Sequence, residues 1–291
     1  MRTIHVERRQ IETKAYALRA AQESDYDELV QEPTLVYEGD ELKVAYLQLR
    51  PEVQALVPHL RAIKFTTGSR TQGLTTTSRT FGWRPRLLLR ADYCSLSVLA
   101  RESPKPHAAV CALAEAASRM YYKVNPRLFK EHEHETRTRV RPEYVLPGGV
   151  FTSGIINRDS QLRYHHDAGN FADVWSAMIG FKDGVQGGHL AVPEYGLGFE
   201  IADGSLFLFD GQGLMHGVTP FMKQRPSGYR FTVVYYSLYQ MWKCKTIGEE
   251  LERIRKVKTK REQRRIRLEG ESDEDYRRRL ARSVELLEKG N

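Results

Sequence analysis

Residues 187–211, GGHLAVPEYGLGFEIADGSLFLFDG, decide the fold: short β-branched and aromatic runs alternate with glycine turns. The pattern continues outward in VFTSGIINR (150–158), DVWSAMIGF (173–181) and GYRFTVVYYSLY (228–239). Short strands at this spacing predict an antiparallel sandwich or barrel over 144–239. Upstream, TLVYEGDELKVAYLQ (34–48) predicts a hairpin turning at Gly39-Asp40. PKPHAAVCALAEAASRMYY (104–122) predicts a helix, with prolines at its start and an alanine-rich middle, ending before Asn125-Pro126. After Trp242 the chain turns helical and charged: Ile247, Leu251, Ile254 and Val257 recur at helical spacing. A second helix is expected from Ser272, with Asp275 placed for a capping box. The expected class is mainly β with α additions. One domain spans 1–242, with its core motifs at 150–240, and a basic helical extension spans 243–291.

Composition bounds the class. The chain has 291 residues, 41 % apolar and 28 % charged, enough for a core that needs no disulfides. The cysteines, Cys94, Cys111 and Cys244, are odd in number and widely spaced, which argues against a disulfide framework and a CxxC zinc site. A reducing, cytoplasmic setting is expected. There is no apolar run long enough for a transmembrane helix and no apolar leader at the N-terminus, so neither a membrane partner nor secretion is expected. Net charge is +8 and uneven: residues 243–291 hold 16 basic and 11 acidic residues. Within 253–267 nine Lys/Arg stand against Glu262 alone, either a phosphate-neutralising cluster or a solvated helix face. From Arg61 to Leu89 there are six basic residues (Arg61, Lys64, Arg70, Arg79, Arg84, Arg86) and no acid, among Thr, Ser and Gly. This stretch reads as a long mobile loop, either a surface connection or a nucleic-acid contact in which Arg70 and Arg79 would meet phosphate.

The chemistry concentrates in RYHHDAGN (163–170). His165 and Asp167 are two apart, so in an extended strand both point to one side. His216 follows 49 residues after Asp167, beyond the strand-like GSLFLFDG. Two imidazoles and a carboxylate on one face form the facial triad of non-haem iron oxygenases, with positions left for a bidentate 2-oxo acid. Arg230, fourteen residues after His216, could fork onto a distal carboxylate, with the Thr232 hydroxyl beside it. Each piece has an ordinary alternative: His216 as a core histidine, Arg230 as a structural arginine. His166 is expected on the opposite face as a buried or supporting group, and His189 in a turn. His132 and His134, in FKEHEHETR, read as a solvated charged segment. No phosphate-binding loop or dinucleotide fingerprint is present.

Taken together, HHDAGN (165–170), 187–211, HGVTP (216–220) and GYRFTVVYYS (228–237) resemble the 2-oxoglutarate/Fe(II) dioxygenases with a double-stranded β-helix, or jelly-roll, core. Within them they are most similar to the TET/JBP family, which oxidises the 5-methyl group of pyrimidines in DNA. The resemblance covers about a third of the chain. It implies Fe(II) on His165, Asp167 and His216, and 2-oxoglutarate on Arg230 and Thr232, with O2 as the oxidant. It implies further that Asn170 reads a flipped base and that Tyr236 packs near it. The expected partner is methylated duplex DNA with one nucleotide extruded, bound by a monomer. The chain departs from animal TET enzymes in lacking a cysteine-rich domain, and Leu238 stands where some carry a base-contacting histidine. It resembles a compact member of phages, bacteria or protists, and a phage-encoded one would act in host cytoplasm.

The expected reaction is 5-methylcytosine to 5-hydroxymethylcytosine, with formyl and carboxyl forms on repeated turnover. Hydroxylation of thymine in DNA stands as the alternative, followed by action on RNA bases or N-methyl groups and by protein hydroxylation. A non-catalytic cupin-like binding module is opposed by the intact set His165, Asp167, His216 and Arg230.

Overall fold

The structure, a computed structural model, describes residues 1–17, 19–49, 53–69, 75–85, 93–265 and 270–278. Arg70 lies outside the described residues. The main element is a ten-stranded sheet. Along it run Arg2–Val6, Thr34–Glu38, Glu41–Gln48, Ser205–Phe209, Ser176–Asp183, Tyr229–Tyr236, Ser153–Arg158, Thr75–Arg84 and Thr66–Ser69, with Ser95–Leu96 paired to Thr75–Arg84. A smaller four-stranded sheet holds Gly217–Val218, Leu190–Val192, Leu197–Phe199 and Glu28–Val30. The expected hairpin over 34–48 is present, with Gly39 at φ +59° in its turn.

Alternation along Tyr229–Tyr236 sorts the core into two layers. Phe231, Val233 and Tyr235 face one side, where they pack with Val110, Leu113, Ala117 and Tyr121 of the helix Pro104–Val124. The Tyr235 hydroxyl donates to the Val110 carbonyl at 2.8 Å. Val234 faces the other side and joins Met178, Phe207 and Phe209 against Leu190, Val192, Leu197 and Phe199 of the small sheet. Burial of this two-sided core, at roughly 25 cal/mol per Å² of apolar surface, provides the main drive for folding. Arg230, Thr232 and Tyr236 share the face between the sheets.

Four expectations are corrected. The 61–89 stretch is not one loop: Thr66–Ser69 and Thr75–Arg84 form an antiparallel hairpin that extends the main sheet. Threonine suits a pleated surface, and polar strands lack the apolar alternation that marks a buried one. Second, a helix Pro126–Arg139 follows directly on the first, with the Asn125 side chain accepting from Leu128 N–H and Pro126 in the first turn. His132 sits on its inner face, fully buried, rather than in solvent. Third, Cys94 and Cys244 form a disulfide across 150 residues, with Cα atoms 5.7 Å apart, while Cys111 stays a buried thiol. Fourth, His166 is exposed.

The helix Ile247–Arg265 begins at a reciprocal cap between Thr246 and Glu249. At the second expected start, Asp275 N–H donates to Ser272 Oγ at 3.1 Å. No helix among the described residues is long and apolar enough to cross a membrane.

Candidate active site

His165 and His216 meet across an isolated antiparallel bridge, each backbone N–H donating to the other's carbonyl at 3.0 and 3.1 Å. The rings lie 4.3 Å apart. The His-x-Asp segment is therefore a short bridged stretch rather than the start of a strand, and its mate is the second histidine itself. The Asp167 backbone N–H donates to the Gly211 carbonyl at 2.8 Å, which swings its carboxylate beside the two rings. His165 Nε2 lies 3.7 Å and His216 Nε2 3.9 Å from Asp167 Oδ1. One ligand atom from each residue falls within 4.8 Å of the others, a spacing that can close on one metal ion.

The tautomers suit that task. His165 Nδ1 donates to the Arg163 carbonyl at 2.8 Å and His216 Nδ1 to the Leu214 carbonyl at 2.9 Å. Each Nε2 is left with a lone pair directed at the shared space. Burial, then the neighbouring His165, holds the His216 pKa well below the usual imidazole value, so the ring is neutral. Phe209 packs edge-on against His216 at 4.9 Å, anchoring the cluster in the layer between the sheets. At Gly211 an added Cβ would lie 2.4 Å from Asp167 Oδ2, so only glycine leaves the carboxylate its place.

Arg230 is 1 % exposed. Its Nη2 donates to the Gly188 carbonyl at 3.0 Å and its Nη1 to the Ser160 carbonyl at 3.4 Å, while Nε has no partner. Burial lowers its pKa to about 10, so it remains a cation at neutral pH. A buried guanidinium with an unused donor is costly unless an acid meets it. Gly188, at φ +74°, makes the room: a Cβ there would sit 2.8 Å from Arg230 Nε. Beside it the Asn157 amide donates to Thr232 Oγ1 at 3.2 Å and leaves its own Oδ1 unpaired. Asn157 carries no sequence signal, because only strand pairing sets it opposite Thr232.

Along the same strand face from Arg230, about 20 Å away at the strand rise per residue, Tyr236 lines a cavity of about 340 Å³ with Thr80, Trp83, Gly169, Leu238 and Gln240. Asn170 pairs with Leu238 in an isolated bridge at the edge of that cavity. Its amide donates to Ser176 Oγ at 3.1 Å and Asp167 Oδ2 at 3.4 Å, so it steadies the carboxylate. Arg79 is placed otherwise than expected. It pairs with Ile156 on the helix-covered face of the main sheet, donates to the Lys64 carbonyl at 2.8 Å and lies 3.2 Å from Glu102. Strand parity thus turns it away from the triad. His166 bonds the Gln212 carbonyl at 2.9 Å, and His189 Nδ1 takes the Tyr26 hydroxyl at 2.8 Å. A larger cavity, about 520 Å³, is lined in part by Asp210, Gly213 and Leu214 and by none of the three candidate ligands.

The donor set fits an iron with a 2-oxo acid: two imidazoles, one carboxylate and a buried arginine with an unused donor. Comparison with known proteins agrees. Residues 95–238 match the Tet_JBP family model, described as the oxygenase domain of the 2OGFeDO superfamily. Over 114 residues, 39 % of the chain, it is 28 % identical to the bifunctional helicase and thymine dioxygenase JBP2 of Leishmania braziliensis and 29 % to that of Leishmania major. The matched stretch spans about a tenth of those relatives' length. The fold matches the structure of NgTET1 in complex with 5mC DNA, with TM-score 0.57 and 16 % identity, covering 79 % of this chain and 90 % of that one. The jelly-roll fold of the 2-oxoglutarate/Fe(II) oxygenases follows, and within the matched stretch the three clustered side chains and Arg230 are residues that could hold Fe(II) and 2-oxoglutarate.

Proposed function

We propose, from the match of residues 95–238 to the Tet_JBP model of the oxygenase domain of the 2OGFeDO superfamily, that the chain oxidises the 5-methyl group of a pyrimidine in DNA. The first reading is 5-methylcytosine to 5-hydroxymethylcytosine. His165, Asp167 and His216 hold Fe(II), Arg230 and Thr232 hold the distal carboxylate of 2-oxoglutarate, and the cavity beside Tyr236 takes the base. The observation that carries this is the convergence of the three ligand atoms within 4.8 Å in the same inter-sheet layer as the unsatisfied buried Arg230.

Iron, 2-oxoglutarate and O2 supply the oxidation that turns a methyl C–H into C–OH, with succinate and CO2 released. The protein's own residues position and shield. Arg230 forks onto the carboxylate and fixes the co-substrate's direction. Asn170 holds Asp167 through its second oxygen, leaving Oδ1 turned toward the histidines. Trp83 and Leu238 give the cavity an apolar wall that excludes water. A methyl on a stacked base cannot reach a site between two sheets, so the nucleotide must be extruded, at a cost of a few kcal/mol. Exposed Arg253, Arg255, Lys256 and Lys258 on the helix Ile247–Arg265 offer phosphate contacts that repay it.

Thymine is the second reading, favoured by relatives named thymine dioxygenases. The test is incubation with Fe(II), ascorbate, 2-oxoglutarate and duplex DNA carrying both bases, followed by nucleoside mass analysis. Hydroxymethylcytosine supports the first reading and hydroxymethyluracil the second. Neither product, with 2-oxoglutarate still consumed, overturns DNA methyl groups as the target.

A further inference from the structure

The segment Gly213-Leu214-Met215-His216 is clamped at successive peptide groups from outside the triad. Leu214 N–H donates to the Asp210 carbonyl at 3.0 Å, and the Leu214 carbonyl receives His216 Nδ1. Met215 N–H donates to Glu194 Oε1 at 3.0 Å. Arg8 Nη2 donates to the Gly213 carbonyl at 2.7 Å and reaches the same Glu194 oxygen at 3.3 Å. Arg9 N–H donates to the Glu194 carbonyl at 2.7 Å, fastening the N-terminal segment over the same spot.

Glu194 is an unusual residue to find there. It is 4 % exposed, and its Oε2 has no partner. A glutamine would accept the Met215 N–H equally well without burying a charge, so packing alone does not explain a carboxylate. What the charge adds is a stronger bond to Met215 N–H and a hold on half-exposed Arg8, whose other contact is the Gly213 carbonyl. Both bonds fix peptide planes on either side of Leu214, whose carbonyl sets the tautomer and ring direction of His216.

We propose that Arg8 and Glu194 are positioning residues for the iron site: together they lock the 213–215 backbone so that His216 Nε2 points at the metal. The inference rests on His216 being an iron ligand. Outer groups of this kind typically govern metal affinity by about 10–100-fold.

The test is titration of the apo-protein with Co(II), read by its visible absorption, alongside thermal melting of the metal-free protein. Wild type should bind one equivalent with a spectrum of low-symmetry N/O coordination. Arg8→Ala should weaken Co(II) binding about tenfold and shift the band, with a small change in the metal-free melting temperature. Arg8→Lys, which keeps the charge on a shorter side chain, should fall between. In Arg8→Ala/Glu194→Gln the losses should be less than additive, since the two act through one clamp. Arg225→Ala, which breaks the exposed Arg225–Asp183 pair, should bind Co(II) like wild type. Arg8→Ala with wild-type affinity and spectrum overturns the proposal and leaves the triad standing. Equal weakening in Arg225→Ala also overturns it, by making the effect one of general stability. Failure of wild type to bind Co(II) overturns the iron assignment itself, and the proposal with it.

Discussion

Replacement of Arg230 by methionine separates co-substrate binding from folding. The guanidinium is 1 % exposed, spends two donors on the carbonyls of Gly188 and Ser160, and leaves Nε unused. A carboxylate entering beside it would accept two charge-assisted bonds, each about 1.5–3 kcal/mol. Losing both costs about 3–6 kcal/mol, or about 10²–10⁴-fold in Kd for 2-oxoglutarate. Arg230→Lys keeps the charge but not the fork, so about 10–100-fold is expected. Without ligand, removal of a buried cation that has no ion pair within 4 Å among the described residues is favourable and the orphaning of two carbonyls is not, so the melting temperature should change little. Anaerobic melting with Mn(II) and 2-oxoglutarate at 100 times the wild-type Kd should stabilise wild type by about 2.7 kcal/mol and Arg230→Met not at all. Calorimetric titration gives the affinities directly. Arg230→Met binding 2-oxoglutarate within about threefold of wild type, under 1 kcal/mol, would refute the assignment.

Three other outcomes follow from particular contacts. Gly211→Ala places a methyl against the movable end of Asp167, so metal affinity should fall at least about tenfold while folding is spared; wild-type Co(II) affinity in this variant would contradict the geometry. Burial lowers the His132 pKa to about 3, from an ordinary 6.5. The unfolded chain therefore takes up a proton that the native state refuses, and stability should drop as pH falls below 6.5, by up to about 1.4 kcal/mol per unit. Urea unfolding at pH 7 and pH 4.5 should show this slope reduced in His132→Phe, and parallel losses in both proteins would exclude His132 as the source. The Cys94–Cys244 bond closes a loop across 150 residues, worth about 2–5 kcal/mol through the entropy of the unfolded chain. Dithiothreitol should lower the urea midpoint of wild type and leave Cys94→Ser unmoved; a wild-type midpoint indifferent to reductant would remove the bond from the account.

Much of the site was legible because its signals are local. His165 and Asp167 are two apart in sequence, His216 follows a strand-like run and Arg230 belongs to another. The hairpin over 34–48 announced itself by a Gly-Asp turn between alternating segments, and the helix at 104–124 by its prolines and alanines. Other features were hidden for identifiable reasons. The hairpin strands 66–69 and 75–84 carry only Thr, Ser, Gly and Arg until Phe81 and Trp83, so most of their composition is that of a loop. The helix 126–139 exposes nearly all its charge and buries only His132 and Thr136, too few to mark an inner face. Thus His132, fully enclosed among Tyr121, Phe151 and Phe171 with Nε2 on Ser237, read as solvated.

The sequence by itself determined the sheet-rich class, the three candidate ligands, the arginine proposed to bind a carboxylate and the basic C-terminal helix, because residue type and short spacing carry that information. Tertiary structure alone decided which groups face one another. It paired the two histidines across a bridge, set Asn157 against Thr232, joined Cys94 to Cys244, and brought Arg8 and Glu194 onto the backbone before His216. It also turned Arg79 to the helix-covered face. The physical reason is that side chains on a strand alternate by one residue, and a one-residue register choice, fixed by long-range pairing, reverses every face.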